Sequence, residues 1–142
     1  PDPQSEETFR RCKLNPRLLR EEPHRLLRDL YRELIRLRRR LSPLAQLSKE
    51  HLEAVCLETE KVLWARRWKD EEEVFMAFHF GPSRVSVGLP VPEGSWRKEI
   101  DSEDEEWKGR GSLNPGVIHS PGQVSLALHP RSFVLFSKTK EV

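Results

Sequence analysis

Near residue 42 the hydrophobic period of this chain changes. Before Ser42 the apolar residues recur at helical spacing, and from Leu52 onward they alternate and are punctuated by turn residues, the signature of half-buried strands. Neither part contains an internal repeat. Charge divides at the same place: residues 1–50 hold 13 Lys or Arg against 8 Asp or Glu, whereas residues 51–142 hold 12 against 15. The chain therefore reads as two pieces, 1–50 with a helix and 51–142 with a β body.

The helix is predicted over Pro23–Leu41. Glu21 and Glu22 place negative charge at its start, Pro23 suits a first turn whose N–H has no partner, and Arg38, Arg39 and Arg40 sit at the negative end of the macrodipole. Ser42 and Pro43 stop it. At about 100° per residue, Leu26, Leu37, Leu30, Leu41, Leu34, Leu27, Tyr31 and Ile35 fall in one arc of roughly half the circumference. Arg25, Arg28, Arg32, Arg36 and Arg39 fill the other side. That arc is wider than the ~100° stripe a surface helix needs, so contact with two bodies is expected. Arg38 lies inside it and should snorkel or meet a carboxylate or carbonyl.

Seven strands are predicted: Leu52–Glu58, Lys61–Trp68, Glu73–Phe80, Arg84–Leu89, Ser95–Asp101, Gln123–Leu128 and Arg131–Ser137. Turn residues separate them at spacings typical of an antiparallel β-sandwich or barrel. The longest irregular stretch, Ser102–Pro121, carries Glu103, Asp104, Glu105 and Glu106. Its length makes it the expected mobile segment of the β part.

Composition removes several classes of function. A chain of 142 residues buries roughly two thirds of its unfolded surface and needs no staple or metal. Cys12 and Cys56 form no CxxC and read as ordinary thiols. No apolar run spans a membrane and no leader opens the chain, so a cytoplasmic protein is expected. The five histidines lack ligand spacing, the acidic run lacks calcium-loop spacing, and no phosphate-cradling glycine motif occurs; no metal or cofactor is expected. The Arg-rich helix invites a nucleic-acid reading, but the net charge is only +2 and no aromatic interleaves the arginines, so a solvated face is expected. Trp64, Trp68, Trp96 and Trp107 could stack on sugar rings, and an autonomous carbohydrate-binding module is the competing function. Alternating aromatics in a sandwich are more often core, which is the expectation for Trp64 and Trp96.

Four segments carry a resemblance: PDPQSEETFRRCKL, LYRELIRLRR, DSEDEEWKGRG and HPRSFVLFS. In order and spacing they resemble the carboxyl end of α-amylase-superfamily enzymes. Leu34-Ile35-Arg36-Leu37-Arg38-Arg39 is similar to a helix found across that superfamily. Asp2-Pro3-Gln4, Thr8-Phe9 and Lys13-Leu14 resemble the malto-oligosyltrehalose trehalohydrolase branch, with Cys12 where that pattern carries Ser. The resemblance implies that residues 1–50 are the tail and last helix of a (β/α)8 barrel, and 51–142 a C-terminal antiparallel sandwich of seven or eight strands.

It implies further that the parent releases trehalose from an α-1,4-linked maltooligosyltrehalose, with a carboxylate pair about 5 Å apart. Those carboxylates would sit at the ends of barrel strands preceding Pro1. No residue here inherits a catalytic role, and the chain alone is expected to be inactive. The implied barrel-docking face is Leu26, Leu30, Tyr31, Leu34, Leu37 and Arg38. Without a barrel, the N-terminal tail, the sandwich or a second copy of the chain should cover it. Trp107 is the candidate for contact with α-glucan.

Overall fold

The computed structural model describes residues 2–139. The chain separates into two compact units, one up to Glu33 and one from Leu34 onward. In the first, α1 (Glu6–Cys12) is a charge-laced helix with no buried residue, with Glu6–Arg10 and Glu7–Arg11 paired one turn apart. A 3-10 turn at Pro16–Arg20 follows, capped by Asn15, whose side chain accepts from the Arg17 N–H. The Arg28 guanidinium donates to the Leu19 carbonyl at 3.4 Å, tying this turn to the helix that follows.

That helix, α2 (His24–Arg40), falls where the periodicity puts it. Ser42 and Pro43 do more than end it. Leu41 turns extended, and a single further turn, α3 (Ser42–Ala45), starts with Pro43 in a first-turn position where its missing N–H is harmless.

From Leu52 the chain is all strand: β1 (Leu52–Leu57), β2 (Val62–Lys69), β3 (Glu72–His79), β4 (Val85–Leu89), β5 (Gly94–Asp101), β6 (Val117–Ser120), β7 (Val124–Leu128) and β8 (Phe133–Lys138). They form an antiparallel six-stranded sheet, β1-β2-β3-β8-β5-β6, and a two-stranded sheet, β4-β7. The seven predicted strands are all present, and β6 is the eighth. It lies inside the stretch read from sequence as a loop, and pairs with β5 from Gly94↔Ser120 to Arg97↔Val117.

Alternation sends Val62, Trp64, Phe75, Ala77, Val134, Phe136 and Trp96 inward against Val87, Leu89, Val124, Leu126 and Leu128 of the smaller sheet. Phe75 is the centre of this core, stacked on Phe136 at 5.0 Å and edge-on to Trp96 at 5.1 Å.

The opposite phase of the six-stranded sheet is apolar too. Ala54↔Ala65↔Met76↔Leu135↔Ile100 forms one cross-strand row on the outer face, and Cys56↔Leu63↔Phe78↔Phe133 forms the next. Ala65, Val74, Leu135 and Ile100 are buried there without belonging to the inner core. The sheet thus carries two greasy sides, a pattern that calls for a layer on each. A β-bulge between Lys98 and Ile100 breaks the alternation of β5. It turns Ile100 outward and leaves Glu99 as the extra residue with no cross-strand partner.

Candidate functional site

The outer layer begins where α2 ends. Leu37 is 1% exposed and Leu41 8%, and Pro43 is also buried, although none belongs to the inner core. α3 packs on β2 and β3. Polar contacts fix the chain here as it leaves the helix. The Arg67 guanidinium donates to the carbonyls of Pro43 and Ser48, both at 3.1 Å, and the Ser42 N–H donates to the Glu72 carboxylate at 3.2 Å. Arg40, in the last turn of α2, pairs with Glu99.

Glu99 is the electrostatic centre of the joint. Its side chain is only 6% exposed. Burial pushes its carboxyl up, but hydrogen bonds from Ser137, Arg97 and Arg40 outweigh burial and hold it below the ordinary carboxylate value. The bulge makes this possible by freeing Glu99 from the ladder beside Ser137. Sequence reading placed Arg40 in a terminal run of arginines but missed Glu99 and Arg67, whose roles depend on pairings across 59 and 24 positions of sequence.

The helix positions proposed for docking are not equivalent. Leu37 is buried, Leu26, Leu30 and Leu34 are half-buried, and Tyr31 is 60% exposed. Leu27 and Ile35, one turn to either side of Tyr31, are also exposed. Arg38 is exposed.

Two of the four tryptophans are closed to stacking by burial. Trp64 and Trp96 lie fully buried in the core, as expected, with the Trp96 indole N–H donating to the Pro92 carbonyl at 3.0 Å. Trp68 carries the Arg66 guanidinium 4.6 Å above its ring. Trp107 is half-buried, its indole N–H enclosed without a hydrogen-bond partner.

The acidic stretch Ser102–Pro121, expected to be irregular throughout, is partly ordered into regular elements. Besides β6 it contains a 3-10 turn, Glu105–Trp107. Asp101, buried, accepts from the Glu103 N–H at 2.9 Å and the Ser112 hydroxyl at 2.7 Å. Glu103 grips Arg110, whose hydrogen bond is the main reason its carboxyl lies below the ordinary value. Asn114 acts as a clip: its amide donates to the Ala127 carbonyl and its oxygen accepts from the Ala127 N–H. These bonds satisfy acids and backbone in place of an ion or solvent. No group of three potential metal ligands occurs among the described residues.

Gly109 seals the turn. A Cβ there would stand 2.2 Å from the Glu103 carbonyl carbon. Gly109→Ala should therefore destabilise the domain by about 1–3 kcal/mol in urea unfolding, as for other forced overpacking. An unchanged midpoint would show that the turn can open freely.

Among the described residues the arrangement offers no catalytic constellation. What it offers is a joint: a helix end sealed onto a sandwich, with apolar helix positions left exposed upstream. No described helix is long and apolar enough to cross a membrane.

Comparison with known proteins agrees with this architecture. Among solved structures, the trehalulose synthase MutB from Pseudomonas mesoacidophila MX-45 is similar to 89% of this chain at 18% identity and a TM-score of 0.58, over 21% of its own length. An α-amylase from H. orenii is similar to 78% of the chain at 17% identity and a TM-score of 0.52, over 20% of its own length. The chain thus spans about a fifth of the solved chains it matches, and at these identities the likeness shows the fold. No curated protein matches the chain. Residues 57–139, almost the whole sandwich from the end of β1 to the residue after β8, match the family described as alpha amylase, C-terminal all-beta domain. By that match, with its antiparallel sheets and the helix leading into them, the chain belongs to the C-terminal all-β domain family of the α-amylases.

Proposed function

We propose that this chain is the non-catalytic C-terminal part of a glycoside hydrolase acting on α-1,4-glucan-type substrates, and that its role is to pack against and stabilise a catalytic barrel. The observation that carries the reading is the division of α2. Its last turn is sealed by Leu37 and Leu41 and pinned through Arg40 to Glu99, whereas Leu27, Tyr31 and Ile35 farther up are exposed. A helix built this way serves two bodies, and a barrel is the second body that an amylase-type C-terminal domain implies. The proposed docking face is Leu26, Leu30, Tyr31, Leu34 and Arg38, the sixth expected position, Leu37, being already buried within the chain, and Trp107 is the proposed point of contact with glucan.

The finer assignment, a parent that releases trehalose from maltooligosyltrehalose in the cytoplasm, rests on Asp2-Pro3-Gln4, Thr8-Phe9 and Lys13-Leu14. The test is a comparison of two proteins. A gene product that includes the upstream barrel should release trehalose from maltooligosyltrehalose, and the 142-residue chain should release none. Activity in the short chain would overturn the non-catalytic role; maltose or another product from the long one would overturn the trehalohydrolase assignment alone.

A further inference from the structure

We infer that the cavity between the end of β3 and the start of β8 is a binding site for a small carboxylate with an apolar body, of the aryl or short acyl kind. The inference is independent of the barrel-stabilising role proposed above.

The cavity holds about 440 Å3 and is lined by Phe78, His79, Phe80, Arg131, Ser132 and Phe133. That size falls among small-molecule sites, which combine apolar walls with a few placed polar groups. Phe78 and Phe133 make an aromatic wall, their ring centroids 6.1 Å apart and their planes 27° from parallel. Phe80 is 66% exposed, so its ring is open to a ligand.

Hydrogen bonds fix the polar part of the lining before any ligand arrives. His79 and Ser132 are both buried. The His79 Nδ1–H donates to the His129 carbonyl at 2.7 Å, and the Ser132 hydroxyl donates to the same carbonyl at 2.8 Å. The His79 backbone N–H donates to the Ser132 carbonyl at 2.8 Å, which ties β3 to the turn before β8. Gly81 lets the chain pass close to the imidazole, since a Cβ there would stand 2.4 Å from His79 Nε2. A lining held in this way loses little conformational entropy when it binds.

Arg131 decides the class of ligand. It is exposed, and its guanidinium has no hydrogen-bond or ion-pair partner among the described residues. The arginines elsewhere on the sandwich differ: Arg66, Arg97 and Arg110 are held by carboxylates, and Arg67 by carbonyls. No carboxylate among the described residues lines the cavity. A free guanidinium fork matches a carboxylate with two parallel hydrogen bonds, while the neighbouring rings take up an apolar body. A phosphate dianion fits less well, because the lining offers it one cation and few donors.

Amide NMR titration of the 142-residue chain tests this with phenylbutyrate and its uncharged counterpart, phenylbutanol. The acid should shift the amides of Phe80, Arg131 and Ser132, and should bind about tenfold or more tightly than the alcohol, as charge-assisted hydrogen bonds allow. Arg131→Gln should abolish that preference and leave both alcohol binding and the Tm unchanged, since Gln tolerates the left-handed backbone at position 131, φ 54°, no worse than Arg. Arg131→Lys should keep part of it. Equal affinity for acid and alcohol, a preference that survives in Arg131→Gln, or shifts confined to other residues each overturn the inference. So does failure to saturate below about 10 mM, a weak limit for a ligand of this size. Tighter binding of phenyl phosphate than of phenylbutyrate overturns the carboxylate assignment, and displacement of phenylbutyrate by maltoheptaose gives the cavity to glucan instead. The barrel-bearing gene product should bind phenylbutyrate with the same affinity as the short chain; loss of binding there would mean that the cavity is filled in the longer protein, and would overturn its role as a ligand site.

Discussion

Phe75→Ala should bring the sandwich close to unfolding at room temperature. Phe75 is fully buried, stacked on Phe136 and edge-on to Trp96, so its ring joins β3 to both β8 and β5. Truncating a buried Phe costs about 3–5 kcal/mol through lost burial and the cavity left behind, and each aromatic pair adds about 1 kcal/mol beyond its area. Domains of this size have only about 5–15 kcal/mol in hand. Urea titration followed by tryptophan fluorescence is the natural measurement, because Trp96 itself reports the cavity. Phe80→Ala is the control, since an exposed ring just past the same strand, away from the inner core, should change the midpoint by less than about 0.5 kcal/mol. If the two variants lose similar stability, Phe75 is not the keystone of the core.

What could be read from the sequence follows the range of the interactions involved. Trp64 and Trp96 announce themselves by alternation, and α2 by the spacing of its leucines, because both signals are local. β6 does not: it is four residues long, Val117–Ser120, between Pro115-Gly116 and Pro121-Gly122, so its turn residues outweigh its strand residues. It exists because β5 supplies a ladder. The order in Ser102–Pro121 was hidden for the same reason. Asp101, Glu103 and Asn114 look like solvated loop residues until the fold brings Ser112, Arg110 and Ala127 to them. The outer apolar row was present in the strings VLWARRW and EEVFMAFHF, which are greasy in both phases. Expecting one wet face obscured it.

The joint at Glu99 carries the second large effect. Glu99→Gln preserves the shape of the side chain and removes its charge, leaving Arg40 and Arg97 facing a neutral amide and Ser137 a weaker acceptor. Near neutral pH the loss should be about 1–3 kcal/mol, the range for hydrogen bonds to a charged group with little access to water. The pH dependence identifies the cause. The folded Glu99 carboxyl lies below the ordinary value of 4.5, so the folded state binds fewer protons than the unfolded one as the pH falls through that range. Its contribution is complete above the ordinary value and is lost progressively as the pH drops through the lowered one. Glu103, also lowered, titrates in the same direction through its own partner Arg110, so the variant retains part of the acid sensitivity. The gap between parent and Glu99→Gln should be constant from neutral pH down to about 4.5 and then close. A gap that widens on acidification would mean that burial, not the arginine and serine donors, sets the state of this carboxyl. The seal between the end of α2 and the sandwich would then not depend on its charge.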